Sequence, residues 1–146
     1  MRKPASPKGV HSRSHLKIKR GEIWYVRLDP ALGDETKKRC DPASPKGARE
    51  RAPRQTRPCL VLQNDIGNKF ANTTVVVPFL KPGNYPFIVN IASTSKNGLD
   101  RERGLNLSKI RSVSIRRFNN QIGIIEDKYW AAIEKALLAE CGFVES

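Results

Sequence analysis

Between Gly21 and Ile125 the apolar residues of this chain fall into six short runs, the longest nine residues, separated by turn-forming and charged stretches. Runs of that kind suit strands better than helices, which need a sustained 3.6-residue period over a longer stretch. Gly21–Leu28 (GEIWYVRL) alternates, with Ile23, Tyr25 and Arg27 on one face and Trp24, Val26 and Leu28 on the other. Pro58–Gln63 reads as a short buried strand, ended by the turn-rich cluster Asn64–Asn68. Thr73–Leu80 is β-branched and strand-like. Its Pro78 has no amide hydrogen for a ladder and predicts an edge or a bulge there. Phe87–Ala92, Leu105–Val113 and Gln121–Ile125 complete the set. From Asp127 the period changes. Trp130, Ile133 and Leu137 recur at helical spacing, Glu126 and Asp127 suit the positive end of a helix, and Gly142 closes it. The predicted fold is mostly β: a strongly bent, barrel-like antiparallel sheet with a C-terminal helix packed on it.

Two segments stand outside this pattern. Met1–Lys17 and Thr36–Thr56 are rich in Pro, Ser, Lys and Arg and poor in apolar residues, and they share the hexapeptide Pro-Ala-Ser-Pro-Lys-Gly at positions 4–9 and 42–47. Too little apolar surface is present there to offset the entropy of ordering, so both are expected to be disordered. The domain reading is therefore a basic tail over 1–17 and a single domain over 18–146, interrupted by a low-complexity insertion at about 36–56.

Charge narrows the partners. The 146 residues carry 27 Lys+Arg against 14 Asp+Glu, a formal net charge of +13. Of that excess, Met1–Arg57 holds +10 and Pro58–Ser146 holds +3. A field of this sign attracts polyanions, and nucleic acid is the commonest of these. The basic stretches lack amphipathic helical spacing, which argues against a membrane surface. The N-terminus is basic but no apolar core follows it, so a secretory signal is not expected. Cys40, Cys59 and Cys141 form no CxxC pair. Neither a disulfide framework nor a zinc cage is expected, and the chain reads as cytoplasmic.

The chemical inventory is short. His11 and His15 are the only histidines, and both lie in the tail. No G-x-x-x-x-G-K-[ST] phosphate loop occurs. Cys59 and Cys141 read as packed residues, and Asp100 and Glu102 as solvated charges in a loop. Arginine, lysine and hydroxyls are what remain in number. They suit chemistry on phosphodiesters in which charge on the phosphoryl oxygens is stabilised without a metal. No cofactor is expected.

The residues themselves carry a resemblance. Arg20-Gly21-Glu22-Ile23-Trp24 opens the first strand, and Arg57-Pro58-Cys59-Leu60-Val61-Leu62-Gln63-Asn64-Asp65-Ile66-Gly67-Asn68 follows. Both resemble the PemK/MazF family of toxin endoribonucleases, which typically begins RGD-I/V-W/Y and continues RP-x-LV-I/L-QND-x-x-N. Thr73–Pro78, Ile110-Arg111-Ser112-Val113 and Ile122-Gly123 are similar to its later segments, so the likeness runs over about Lys19–Phe143 apart from the insertion. It implies an SH3-like small barrel with a C-terminal helix, usually a homodimer. It also implies metal-independent cleavage of single-stranded RNA at short sequences, through attack of a ribose 2′-hydroxyl on the adjacent phosphate. The implied partners are a cognate antitoxin and, through it, operator DNA. The same fold serves toxins directed at DNA gyrase, so fold alone does not settle activity.

By the same resemblance the catalytic arginine is Arg57, immediately before the proline that opens the second strand. A guanidinium suits that role because it is always charged and its fork spans two phosphoryl oxygens. The family's Ser/Thr hydroxyl near the end of the third strand falls, in ungapped register, on Leu80, which has none. That departure keeps a second reading open, a degenerate member that binds nucleic acid or antitoxin without cleaving. Lys109-Ile110-Arg111 stands where the family reads Q-I-R. Lys81, Lys109 and Arg111 are the candidate substrate-binding cations. Phe70, Phe79, Tyr85 and Phe87 are the aromatics near the expected groove, with Phe79 and Phe87 assigned first to the core.

The insertion supplies a test. Seven Lys and Arg residues lie between Lys37 and Arg54. Shortening Thr36–Thr56 to about eight residues should preserve the fold, because closing a shorter loop costs less entropy. If the loop grips phosphates, the slope of log RNA affinity against log salt should flatten by several units, at roughly 0.7 per phosphate released. An unchanged slope would make the loop a bystander.

Overall fold

The computed structural model describes residues 17–28 and 56–144. The tail and most of the insertion, with His11, His15 and Cys40, lie outside the described residues. Within the described residues there are seven strands: β1 Glu22–Arg27, β2 Thr56–Val61, β3 Thr73–Leu80, β4 Ile88–Ile91, β5 Arg103–Asn106, β6 Arg111–Ser114 and β7 Phe118–Ile124. Among the described residues there are two α-helices, α1 Asp65–Phe70 between β2 and β3 and α2 Trp130–Glu140 after β7. The strands form one antiparallel sheet in the order β4-β5-β3-β2-β1-β7, with β6 also paired to β3. The strand at one end of that path, β7, is tied to the loop that follows β4 at the other end by a hydrogen bond from Ile124 N–H to Lys96 O at 3.0 Å, in keeping with the bent, barrel-like form expected from the sequence.

Strand β3 organises the bend. Along one edge it pairs with β2, Cys59 opposite Pro78 and Val61 opposite Val76. Along the other edge β6 takes Thr73–Val76 and β5 takes Phe79–Leu80. Leu62 N–H donates to Val75 O, so Val75 and Val77 direct their backbone groups at β2. Pro78, one residue on, faces the gap between β6 and β5. A residue without an N–H sits there at no cost to a ladder. The expectation of an edge or bulge is thus corrected: Pro78 lies within a central strand, where that strand changes partners.

Alternation along β1, β2 and β3 feeds two cores, one on each face of the sheet. Ile23, Leu60, Val77 and Phe79 join Ile91, Leu105, Leu107 and Ile125 under Ile133 and Ala136 of α2. Trp24, Val26, Cys59, Val61 and Val76 join Ile18, Val113 and Phe118 on the other face. Trp24 meets Phe118 edge to face at 5.5 Å. Arg20, from the motif that opens β1, stacks its guanidinium 4.1 Å from the centre of the Trp130 ring and donates from Nε to Leu62 O. That contact fastens α2 to the start of the sheet.

Three local readings change. The Asn64–Asn68 cluster is not a plain turn but the start of α1. The Asn64 side chain caps the helix by accepting from Gly67 N–H, Asp65 lies in its first turn and Lys69 in its last. Leu105–Val113 is not one strand. Asn106 accepts from Ser108 N–H and caps a 3₁₀ turn at Leu107–Lys109, which carries the chain from β5 to β6. Cys141, expected to be packed, is exposed just past α2. The C-terminal helix itself falls where its period predicts, after a 3₁₀ turn at Asp127–Tyr129. Gly142 follows it at φ +81, and Phe143 N–H reaches back to Leu138 O.

One buried polar side chain locks the sheet's open end. Asn97 is fully buried. Its Nδ2 donates to Ala92 O and Glu126 Oε1, and its Oδ1 accepts from Thr94 N–H and Leu99 N–H. Burial raises the Glu126 pKa, but hydrogen bonds from Thr94 and Asn97 outweigh it and leave the carboxyl below its ordinary value. Asn97→Ala should destabilise the protein by about 3 kcal/mol in urea denaturation, because four groups lose their partner in or near the core. A carboxyl held low in the folded state stabilises at pH above the unfolded glutamate value and loses that contribution as pH falls through the folded one. Stability should therefore fall on acidification below the ordinary glutamate range, and less steeply in Thr94→Val.

Candidate active site

Arg57 is the second residue of β2 and pairs with Val26 of β1. Continuing the β2–β3 register by two residues sets it across from Leu80, the last residue of β3. Leu80 in turn pairs with Gly104 of β5. The missing side chain at Gly104 matters here. A Cβ would lie 2.6 Å from Lys81 O and 2.9 Å from the Pro82 Cα, so glycine lets the chain leaving β3 lie directly on β5.

The result is a depression of about 460 Å³ lined by Arg57, Leu80, Lys81, Pro82, Arg101 and Arg103. Four of those six residues are cations, and none is a carboxylate. Arg103 is held from behind: its Nε and Nη2 donate to Asp100 Oδ1 and Oδ2 at 3.0 and 2.9 Å. That bidentate hydrogen bond keeps the Asp100 carboxyl below its ordinary value. Among the described residues no ion pair neutralises Arg57, Lys81 or Arg101. The depression is a concentrated positive surface with one preset guanidinium, suited to an oxyanion-rich ligand. Among the described residues no three of His, Cys, Asp or Glu converge as a metal-binding group.

The candidate residues from the sequence divide. Arg57, Leu80 and Lys81 come together in the depression. Lys109 sits exposed on the 3₁₀ turn and Arg111 opens β6, half-buried; neither lines it. Arg111 is still felt nearby, since it and Arg57 are the two cations acting on Cys59. Among the described residues no hydroxyl lines the depression. Ser93 Oγ donates to Leu99 O, Thr94 Oγ1 to Glu126, and Thr74 Oγ1 to Asn68, so these hydroxyls are engaged elsewhere.

Sequence reasoning missed Arg101 and Arg103. The alternating charges of Asp100-Arg101-Glu102-Arg103 read as a solvated loop, and Asp100 is indeed exposed. The signal that could have found them was Gly104 directly after, a strand residue that tolerates close backbone approach. Of the aromatics, Phe79 is fully buried and Phe70 is exposed on α1. Tyr85 and Phe87 stack with ring centres 5.2 Å apart.

Comparison with known proteins places this arrangement. The solved structures define the fold first. The chain superposes on MazF from Deinococcus radiodurans with a TM-score of 0.63 at 19% identity, covering 87% of this chain and 98% of that one. It superposes on an endoribonuclease in complex with its cognate antitoxin from a mycobacterial species with a TM-score of 0.62 at 15% identity, covering 88% and 99%. A curated relative, "Endoribonuclease EndoA" of Bacillus subtilis (strain 168), is 26% identical over 131 residues, or 88% of this chain and 97% of the relative. Residues 19–140 match the family model of the PemK-like, MazF-like toxins of type II toxin-antitoxin systems, and the chain belongs to that family. Among the described residues no helix is long and apolar enough to cross a membrane.

The two described cysteines offer a check on this packing. Burial pushes the Cys59 thiol up to about 12, against the pull of Arg111 and Arg57. Thiolate is the reactive form, so Cys59 should resist iodoacetamide at pH 8 in the native protein and react in denaturant. Exposed Cys141 should react in both. Peptide mapping by mass spectrometry reads the difference, and native labelling of Cys59 would contradict the packing of β2.

Proposed function

We propose that this toxin is an endoribonuclease that cleaves single-stranded RNA, and that Arg57 is its catalytic residue. The observation that carries the reading is the basic depression, in which Arg57 shares its wall with Lys81, Arg101 and Arg103. The ribose 2′-oxygen attacks the adjacent phosphorus as the bond to O5′ breaks. The 2′-hydroxyl loses its proton, O5′ gains one, and the products are a 2′,3′-cyclic phosphate and a 5′-hydroxyl. Arg57 stabilises the charge that develops on the non-bridging oxygens, a role that needs a fixed cation and no metal. Lys81 holds the backbone beside it. Lys109 and Arg111, outside the depression, contact RNA further along.

The relatives extend the reading to partners. A neighbour of this fold was solved with its cognate antitoxin, and the proposal for this chain is likewise an antitoxin that covers the basic surface of a toxin homodimer in the cytoplasm. A second reading, binding without cleavage, is favoured by one observation: Leu80 occupies the depression and brings no hydroxyl.

Arg57→Ala should lose on the order of 10²–10³ in cleavage of a fluorogenic single-stranded oligonucleotide while its circular dichroism stays native. Unchanged cleavage by the folded variant would remove Arg57 from the mechanism. Leu80→Thr should raise the rate, since a hydroxyl there adds a donor to the developing charge. A wild-type protein that binds the oligonucleotide but leaves it intact would favour the second reading.

A further inference from the structure

The loop from β3 to β4 carries a feature that the basic depression does not explain. Tyr85 is 62% exposed. Its ring lies parallel to that of Phe87, at an interplanar angle of 8°, and Phe87 is half-buried and packed on the core beneath α2. One face of Tyr85 is therefore backed by an anchored ring. The loop is held as well. Asn90 bridges it twice, accepting from Gly83 N–H at 3.1 Å and donating to Gly83 O at 3.0 Å, and Ile88 N–H donates to Tyr85 O. An exposed aromatic fixed in this way is preorganised for a flat partner, because little ordering remains to be done on binding.

Its position gives the partner. The Tyr85 ring has an edge near Gly83: a Cβ on that glycine would lie 3.7 Å from Tyr85 Cδ2. Gly83 directly follows Pro82, which walls the basic depression. The exposed ring thus lies on the segment that leaves the basic depression. Unpaired nucleic acid offers the complementary pair, a base with an exposed π-face joined to a phosphate.

We propose that Tyr85, backed by Phe87, is a stacking platform for an unpaired nucleobase whose adjoining phosphate lies among Lys81, Arg101 and Arg103. This rests on the reading that the depression binds RNA. It adds a reason for single strands to be preferred, since a base held in a duplex stack has no free face to offer.

The test uses binding, so that it stands apart from cleavage. The probes are a 2′-O-methyl decamer of mixed sequence, which has no 2′-hydroxyl to attack, and an abasic decamer of the same length and charge. The wild-type chain should bind the base-bearing strand more tightly than the abasic one. Tyr85→Ala should weaken binding to the base-bearing strand by roughly 5- to 150-fold, the size of one base–aromatic stack. It should leave abasic binding and the salt slope unchanged, and Tyr85→Trp should retain wild-type affinity. The double variant Arg101→Ala/Arg103→Ala should instead weaken both strands and flatten the salt slope by about 0.7 for each phosphate no longer neutralised. Equal loss on both strands in Tyr85→Ala, or no loss on either, would overturn the platform, as would a wild type without preference between them. If the platform holds but wild-type protein cuts no RNA, the cleavage reading fails and this inference stands.

Discussion

The division of β3 between partners is the constraint from which the remaining architecture follows. One strand pairs with β2 along its inner edge and shares its other edge between β6 and β5. The change-over falls where Pro78 offers no amide hydrogen. A strand that serves two neighbours in succession forces them to diverge, and that divergence bends the sheet. It also lets the end of β3 emerge beside β5 and not beside β6. Leu80 and Lys81 reach the basic depression for this reason, and Lys109 and Arg111 do not.

The same bend creates two cores, each closed by a different device. On one face α2 supplies Ile133 and Ala136, and its entry is held by Arg20 on Trp130 and by Glu126 bonded to Thr94 and Asn97. On the other face Ile18 and Phe118 close over Trp24. With both sides of β1, β2 and β3 covered, apolar residues occupy positions on both faces of those strands. The cations are left to the strand ends and loops. The candidate site therefore lies at the rim of the sheet, where water and a polyanion have access.

The basic rim is asymmetric in a way that bears on the proposed chemistry. Arg57 and Arg103 stand on strands, β2 and β5, while Arg101 comes from the turn before β5, and Arg103 is preset by Asp100. A carboxylate spent in holding one guanidinium leaves the others to act on a ligand. Leu80 between them contributes shape and no donor. In the proposed reading, stabilisation of the phosphoryl charge falls wholly on guanidinium and ammonium groups.

Residue type and spacing specify the class of fold, and the family resemblance marks Arg57 of the candidate site. β-branched and alternating runs predict strands because a pleated, half-buried surface selects those residues locally. The period after Asp127 predicts the final helix for the same local reason. The stretch Arg57–Asn68 is legible as a motif, and Arg57 with it. Folding sets what depends on partners distant in the chain. Leu105–Val113 is broken because β5 and β6 must meet different parts of β3. The Asn64 cluster is helical because its cap is satisfied and Asp65 accepts from Arg20 N–H. Arg101 and Arg103 become part of the depression through Gly104, which brings β3 and β5 into contact. Tyr85 is set beside that surface by Asn90, on the far strand of its own loop. Local preference is written in neighbouring residues, and the site arises from close approach of segments whose separation in sequence conceals it.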